Sequence, residues 1–152
     1  KEYKNKVIAR GVSPECLEAF QQLKIRRRHR WAMFRIDIET EQIVVDSTAP
    51  PEADWQGLSQ VLPDSDCRFV IFDHAFTTED GRKANKLFFI SWMPTASHAH
   101  AKMAYANAKG LLADQLQGVF DVGARSIHEA EVEMGMKEEN PDDDSDVDVD
   151  DW

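Results

Sequence analysis

The chain has 152 residues, 42% of them hydrophobic, and a formal net charge of −10. A chain of this length can bury a core without disulfides, so we expect one folded domain. No apolar run approaches the length of a membrane span and no signal peptide is visible, which argues against membrane and secreted classes.

The two cysteines, Cys16 and Cys67, occur in apolar segments and have no metal-ligand spacing around them. Cysteines of this kind are typical of reduced core residues in an intracellular protein. We therefore expect neither a disulfide nor a zinc site.

The acidic charge is concentrated in one segment. Residues 138–152 contain nine acidic residues and no basic one, and subtracting these nine from −10 leaves −1 for the rest. Such a segment cannot bury enough apolar surface to fold. We therefore predict a domain formed by residues 1–137 and an acidic disordered tail formed by residues 138–152. The nearly neutral domain carries basic clusters that can face an acidic partner.

The first half of the chain predicts a helix followed by a β-hairpin. Ser13 and Pro14 are typical of a helix N-cap and first turn. The buried stripe of this helix is expected to consist of Leu17, Phe20, Leu23 and, as a further candidate, Ile25. Residues 31–38 and 43–45 are apolar or alternating, with polar residues 39–42 between them, and this pattern predicts two paired strands.

The middle of the chain predicts a short helix and two strands. The short helix is indicated by the helical spacing of Trp55, Leu58 and Val61. Residues 67–72 predict a strand that continues towards Phe76, and residues 77–86 predict a polar loop. The uninterrupted apolar run at residues 87–90 predicts a strand buried on both faces.

Residues 97–116 predict a long helix, with Ser97 as N-cap and a start near His98. Its core face is expected to contain Ala101, Ala104, Tyr105, Ala108, Leu111, Leu112 and Leu116. The opposite side would be charged if it faced only water; it carries Ala99, Met103, Ala106 and Gly110, flanked by Lys102, Lys109, His100 and Asn107. This pattern predicts a surface that docks on a partner, or else a helix buried on both sides or an Ala-rich helix without a partner.

After the long helix, residues 118–120 predict a short edge strand and residues 126–136 a final helix. The free face of this final helix is expected to be acidic, because it carries Glu129, Glu131 and Glu133.

No catalytic or metal-binding constellation assembles from the sequence. His98 and His100 are two positions apart on a helix, so they point in different directions, and no acidic or Cys ligand accompanies them. No nucleophile motif or Gly-rich phosphate loop is present. The basic run at residues 24–30 is compatible with nucleic-acid binding but is more typical of a solvated connection. We expect no metal, no cofactor, no nucleic-acid partner and no enzymatic activity.

Several sequence blocks, taken in order, resemble one known family. FFISWMP at residues 88–94 and KMAYA at residues 102–106, followed by Lys109, resemble the signature of the actin-depolymerising factor (ADF) and cofilin family. Further blocks similar to that family are LKIR at residues 23–26, RWAMFRID at 30–37, LP at 62–63, DCRF at 66–69 and FD at 72–73. Together the blocks span most of the chain, which makes the resemblance specific.

The resemblance implies an α/β (α+β) fold, the ADF-homology fold, with a mixed central β-sheet of about five strands and helices on both faces. It implies a protein that binds monomeric and filamentous actin and promotes filament depolymerisation and turnover, with weak severing left open. It also implies a cytoplasmic, cytoskeletal monomer, with nuclear entry left open and phosphoinositides competing at the basic surface. The alternatives are an ADF-homology relative that binds filaments or the actin-branching complex, and a phosphoinositide-responsive basic-patch protein.

The resemblance also implies three sets of contact residues. The monomer site on the long helix consists of His98, His100, Lys102, Met103, Ala106 and Lys109. The filament site consists of Arg82, Lys83 and Lys86. The N-terminal contact segment consists of Arg10, Gly11 and Val12.

Three departures from the family pattern modify this expectation. His100 stands where the family usually has Arg, and an imidazole lacks the guanidinium fork, so we expect weaker monomer binding that tightens as the pH falls. The family's regulatory N-terminal serine has no match, and Ser13, the only nearby hydroxyl, is better explained as an N-cap. The acidic last helix predicts reduced filament binding and severing, to which the tail would add by folding back on Lys102, Lys109 or Arg82 in a salt-sensitive way.

Overall fold

The computed structural model describes residues 9–138. Residues 1–8 and all of the predicted tail except Glu138 lie outside this range. The strands within it are β1 (Gly11–Val12), β2 (Trp31–Asp37), β3 (Gln42–Ala49), β4 (Arg68–Thr77), β5 (Lys83–Trp92) and β6 (Val119–Ala124). The helices within it are α1 (Pro14–Lys24), α2 (Trp55–Val61), α3 (Ala99–Ala113) and α4 (Ile127–Glu133).

The six strands of the described range form one mixed sheet in the order β1-β3-β2-β4-β5-β6. The central strands pair antiparallel, whereas the two edge pairs, β1 with β3 and β5 with β6, are parallel. The predicted α+β class and mixed sheet are confirmed. The sheet has six strands instead of about five because Gly11–Val12, for which no strand was predicted, pairs with β3 at one edge.

An apolar layer lies on each face of the sheet, because side chains alternate along every strand. The layer beneath α1 and α3 includes Phe34, Ile36, Phe69, Ile71 and Phe89, and we call this side the α3 face. The layer beneath α2 and α4 includes Met33, Val70, Phe72, Phe88 and Ile90, and we call this side the α4 face. Cys16 and Cys67 are buried, as predicted, and both are free cysteines.

Helix α3 docks on the sheet through Tyr105. This side chain is fully buried, its ring lies 5.2 Å from that of Phe69, and its hydroxyl accepts a hydrogen bond of 2.9 Å from the backbone N–H of Ile36. The residues around it on the same side of the helix are Ala101, Ala104 and Ala108, all buried. Their small side chains let the helix approach the strands closely.

Four apolar residues that were assigned to helix core faces are exposed, namely Leu17 (40%), Ile25 (63%), Val61 (53%) and Leu111 (38%). Leu17 follows the buried Cys16, and Leu111 precedes the buried Leu112. Because neighbouring residues of a helix are about 100° apart, both leucines lie at the flank of the buried side. Ile25 and Val61 lie at helix ends, where the sheet no longer covers them.

Several boundaries also differ from the prediction, and two of them bear on the candidate site. The N-cap of α3 is His98, whose Nδ1 accepts from the backbone N–H of His100 at 3.0 Å, while Ser97 is buried before it. The predicted polar loop is shorter, because residues 83–86 pair with β4 as part of β5. Gly81 closes the remaining turn with φ of 90°, a backbone conformation that favours glycine.

We expect Tyr105→Phe to lower the free energy of unfolding by roughly 1–3 kcal/mol, because the buried N–H of Ile36 would lose its acceptor. Chemical denaturation measures this loss. Amide hydrogen exchange at Ile36 should accelerate more than exchange at Phe34 in the same strand, which serves as internal reference. Equal exchange at both amides, with unchanged stability, would show that the hydroxyl does not hold α3.

Candidate functional site

The outward side of α3 is apolar along most of its length. Met103 is 64% exposed at its centre, and the small residues Ala99, Ala106 and Gly110 are exposed around it. Tyr105 determines this orientation, because it is buried and lies two positions, or about 200°, around the helix from Met103. The strip has the composition of a docking surface, since a side that faced only water would carry charged residues.

Two lysines border this strip, and their amines are held in place. Lys102 Nζ donates to the carbonyl oxygen of Thr95 at 2.9 Å. Lys109 Nζ forms an ion pair of 2.8 Å with Asp121 Oδ2 of β6. Both lysines are half-buried, so their charges are fixed at the margins of the strip. We call the strip and these two lysines the α3 surface.

His98 and His100 lie side by side at the start of α3, with ring centroids 4.9 Å apart. The hydrogen bond that His98 accepts satisfies one of the free backbone N–H groups at the helix start. Within residues 9–138, no group of three or more His, Cys, Asp or Glu side chains is arranged to hold a metal ion. His98 caps the helix, and both rings border the α3 surface.

The predicted N-terminal contact segment lies at the edge of the α3 face. Gly11 and Val12 form β1, which α3 contacts, and Val12 packs against the core beneath α3. Arg10 forms an ion pair with Glu41. The fold thus brings Arg10, Gly11 and Val12 close to the helix that carries the other predicted monomer-site residues.

The predicted filament residues lie on a two-stranded arm, formed where residues 74–77 and 83–86 pair beyond the other strands. Arg82 lies in the turn and donates through Nε to the Asp80 carboxylate at 3.1 Å. Lys83 and Lys86 are exposed within β5. Because side chains alternate along a strand, these two lysines point to opposite faces, so the three residues do not form one patch.

Lys86 lies over the ring of Phe120, a residue that the sequence analysis did not assign to any site. Its Nζ is 5.0 Å from the ring centroid of Phe120, a cation–π distance, and Phe120 is 53% exposed. The aromatic row continues on the α4 face through Phe88, His74 and Phe76. Thirty-four positions separate Lys86 from Phe120, and only the register of β6 against β5 brings them together.

The acidic residues of α4 are largely engaged within the protein, which corrects the prediction of a free acidic face. Glu131 Oε2 accepts a hydrogen bond of 2.8 Å from Trp55 Nε1. Glu129 Oε1 accepts one of 2.7 Å from the backbone N–H of Arg125, just before the helix. Within residues 9–138, Glu133 is the one of the three whose carboxylate has no such partner.

The chain as a whole, and not only its motifs, is similar to known proteins. Residues 10–139 match the family described as cofilin/tropomyosin-type actin-binding protein. The chain belongs to this family. The resemblance predicted from the sequence blocks is thereby confirmed.

Relatives and solved structures agree with this assignment. Actin-depolymerizing factor 11 of Oryza sativa subsp. japonica is 34% identical over 125 residues, which are 82% of this chain and 86% of the relative. Actin-depolymerizing factor 6 of Arabidopsis thaliana is 31% identical over 131 residues, or 86% and 90% of the two chains. The crystal structure of Streptomyces griseoflavus cofilin has a TM-score of 0.71 at 30% identity, covering 78% of this chain and 87% of that one. The crystal structure of Plasmodium berghei actin depolymerization factor 2 has a TM-score of 0.71 at 26% identity, covering 86% of this chain and 95% of that one.

In the part of this cofilin-family chain that the structure describes, no helix is both long and apolar enough to cross a membrane.

We expect the Trp55–Glu131 hydrogen bond to make stability depend on pH. Burial raises the pKa of Glu131, but the hydrogen bonds donated by Trp55 and Lys137 outweigh it and hold the pKa below the ordinary 4.5. A carboxyl whose folded pKa is lowered stabilises the protein above the unfolded pKa, and the stabilisation is lost as pH falls through the folded pKa. Glu131→Gln should therefore melt lower than the unsubstituted chain at neutral pH, with the difference shrinking below about pH 4.5.

Thermal melting across the acid range measures this difference. Glu133→Gln is the matched control, because Glu133 is an exposed carboxylate on the same helix. A difference that stays constant with pH for Glu131→Gln would contradict the assigned role of the ionised carboxylate.

Proposed function

We propose that this cofilin-family protein binds monomeric and filamentous actin and promotes filament depolymerisation and turnover by binding alone, without catalysis. The observation that carries the proposal is the α3 surface, where Met103 is 64% exposed between two anchored lysines. The relatives named actin-depolymerizing factors, which align with most of this chain, support the same activity.

The contact with monomeric actin is centred on Met103, because its flexible thioether adapts to the shape of a partner groove. Lys102 and Lys109 at the margins steer an acidic partner towards the strip. A carboxylate of the partner would compete with Asp121 for Lys109. The remaining residues of the proposed contact are His98, His100, Ala106, Arg10, Gly11 and Val12.

The contact with filaments lies on the arm and uses Arg82, Lys83 and Lys86, together with the exposed ring of Phe120. Lys86 and Phe120 are on the α4 face, whereas the α3 surface is on the opposite face, and edge strand β6 lies between them. Two surfaces separated in this way can contact two neighbouring actin subunits at once. Since Glu129 and Glu131 are engaged internally, weak severing depends less on their charges than the sequence suggested.

The setting of this activity is also a proposal. We place the protein in the cytoplasm as a monomer, with phosphoinositide headgroups competing for the exposed Lys86. Nuclear entry stays open, as in the expectation from the resemblance. The division into a domain of residues 1–137 and an acidic tail of residues 138–152 is likewise proposed, from composition alone.

We expect Met103→Ala to weaken binding of fluorescently labelled monomeric actin about tenfold or more, because a central apolar anchor contributes more than about 1 kcal/mol to an interface. The matched control is Val61→Ala, which truncates another exposed apolar side chain (53% exposed) on α2. Equal affinities of the two variants would remove the α3 surface from the proposed contact.

We expect Lys86→Glu to reduce the fraction of protein that sediments with actin filaments at low salt, while its affinity for monomeric actin stays unchanged. Reversal of an exposed charge mainly slows association with an acidic partner. Met103→Ala should instead weaken binding of monomeric actin more than it reduces sedimentation with filaments. A parallel loss of both activities in Lys86→Glu would show that one surface serves both contacts.

A further inference from the structure

The described chain ends beside one end of the sheet. Met136 lines a groove of about 320 Å³ that also contains Arg30, Phe72, His74 and Ala75. Lys137 follows and forms an ion pair of 3.1 Å with Glu131. Residues 139–152 are therefore attached next to Arg30 and His74, on the α4 face.

Basic residues lie at this end of the sheet, with Arg30 in the groove and Arg26 and Arg28 bound through their backbone N–H groups to the last turn of α1. The run after α1 bends around the end of the sheet, where Arg27 reaches the buried Asp73 at 3.4 Å. The guanidinium of Arg30 donates to backbone carbonyl oxygens, to that of Pro51 at 2.7 Å and to that of Asp73 at 3.1 Å. We use the name basic end surface for Arg26, Arg27, Arg28, Arg30 and Lys86.

Most of this positive charge is not neutralised by the fold. Within residues 9–138, no carboxylate lies within ion-pair distance of Arg26, Arg28 or Lys86. Of the acids nearby, Glu52 is exposed, whereas Asp73 and Asp54 are already engaged. Asp73 accepts from Asn85 at 2.8 Å as well as from Arg27, and Asp54 accepts from the backbone N–H of Gly57.

The titration of His74 is consistent with a positive potential at this end of the sheet. Burial lowers the pKa of His74, Asp73 raises it, and the charges of Lys86 and Arg30 lower it again, so that the pKa lies below the ordinary 6.5. Lys86 and Arg30 therefore act on the same small region, although they come from different parts of the chain.

Three other bases of the domain are less available. Lys102 is bound to a carbonyl oxygen, Lys109 to Asp121 and Arg82 to Asp80. A new acidic ligand would have to displace these partners. On the basic end surface, Arg26, Arg28 and Lys86 have no carboxylate partner within residues 9–138 that would have to be displaced.

The chain itself contains an acidic segment of suitable length. Residues 139–152 carry eight acidic residues and no basic one. Fully extended, fourteen residues span roughly 46–50 Å, which reaches every part of the basic end surface from Met136. We propose that residues 139–152 dock on the basic end surface of their own chain, through ion pairs with Arg26, Arg28 and Lys86.

One consequence rests on the proposed function. Lys86 belongs both to the basic end surface and to the proposed filament contact, so the docked segment would compete with filaments for it. Salt screens such contacts over about 10 Å at 0.1 M ionic strength, so docking weakens as salt rises. The docking itself does not depend on actin.

Paramagnetic relaxation in the full chain, without actin, tests the docking. A nitroxide is attached to the cysteine of Ser145→Cys. The native Cys16 and Cys67 are buried and should stay unlabelled, and labelling of the unsubstituted chain under the same conditions checks this. At low salt we expect amide signals to broaden at residues 26–30 and 84–86 and to remain sharp at residues 101–109. The broadening should disappear at roughly 0.5 M salt, where screening is short-ranged.

Two double variants provide matched controls. Arg28→Gln with Lys86→Gln should abolish the localised broadening. Lys109→Gln with Arg125→Gln removes the same charge from a different groove, which both residues line, and should leave the pattern intact. Broadening that is absent at low salt, spread evenly over the domain, or centred on α3 would overturn the proposal.

Filament sedimentation separates the docking from its consequence. With the eight acidic residues of the segment 139–152 changed to Asn or Gln, we expect a larger filament-bound fraction at low salt. An unchanged fraction, with the broadening pattern still present in the acidic chain, would overturn the competition but not the docking. If no form of the chain bound actin at all, the proposed function would fail and the docking would stand on the relaxation data.

Discussion

The rotation of α3 about its own axis depends on the hydrogen bond that the backbone N–H of Ile36 donates to the Tyr105 hydroxyl. The buried side of this helix is otherwise made largely of alanines, and burial of an alanine contributes little free energy and no direction. A different rotation would remove this acceptor from the buried N–H of Ile36, which costs on the order of 1–3 kcal/mol. The outward position of Met103 follows from this constraint, because both residues belong to one rigid helix.

The opposite face of the sheet depends on a different polar contact. Helix α4 has only seven residues, which is too short for stable helix formation without tertiary support. Its buried residue Ala130 offers little apolar area, and the hydrogen bond between Trp55 and Glu131 joins it to α2. A carboxylate that appeared from its sequence position to face solvent therefore has a structural role. On so short a helix, periodicity cannot distinguish a solvated acid from an anchoring one.

Much of the fold could be predicted because its determinants are local. The continuous apolar run at the end of β5, the Ser-Pro start of α1 and the length of α3 are readable in sequence. The arm could not be predicted in this way, since residues 83–86 are polar and are held in a strand by pairing with β4 and not by burial. Leu17 and Leu111 were misplaced because a stripe of apolar residues does not reveal how wide the covering surface is.

The candidate site likewise has one part that a local sequence pattern predicts and another that it does not. The apolar side of α3 is encoded within one helix, so its pattern predicts it. The contact between Lys86 and Phe120 is encoded in the register of two strands, and no local pattern contains it. Sequence resemblance placed Lys83 with Lys86, but the alternation of side chains along β5 puts them on opposite faces.

Strand β6 links the two surfaces through that alternation. Phe120 faces Lys86 on the α4 face, and the next residue, Asp121, faces Lys109 on the α3 face. A slip of one residue against β5 would exchange the two sides, so the ring and the carboxylate would each meet the wrong lysine. The parallel pairing of Leu87 with Val119 therefore sets both surfaces at once. Their separation across one edge strand is a property of a single register, and a change that loosens β6 is expected to affect both contacts together.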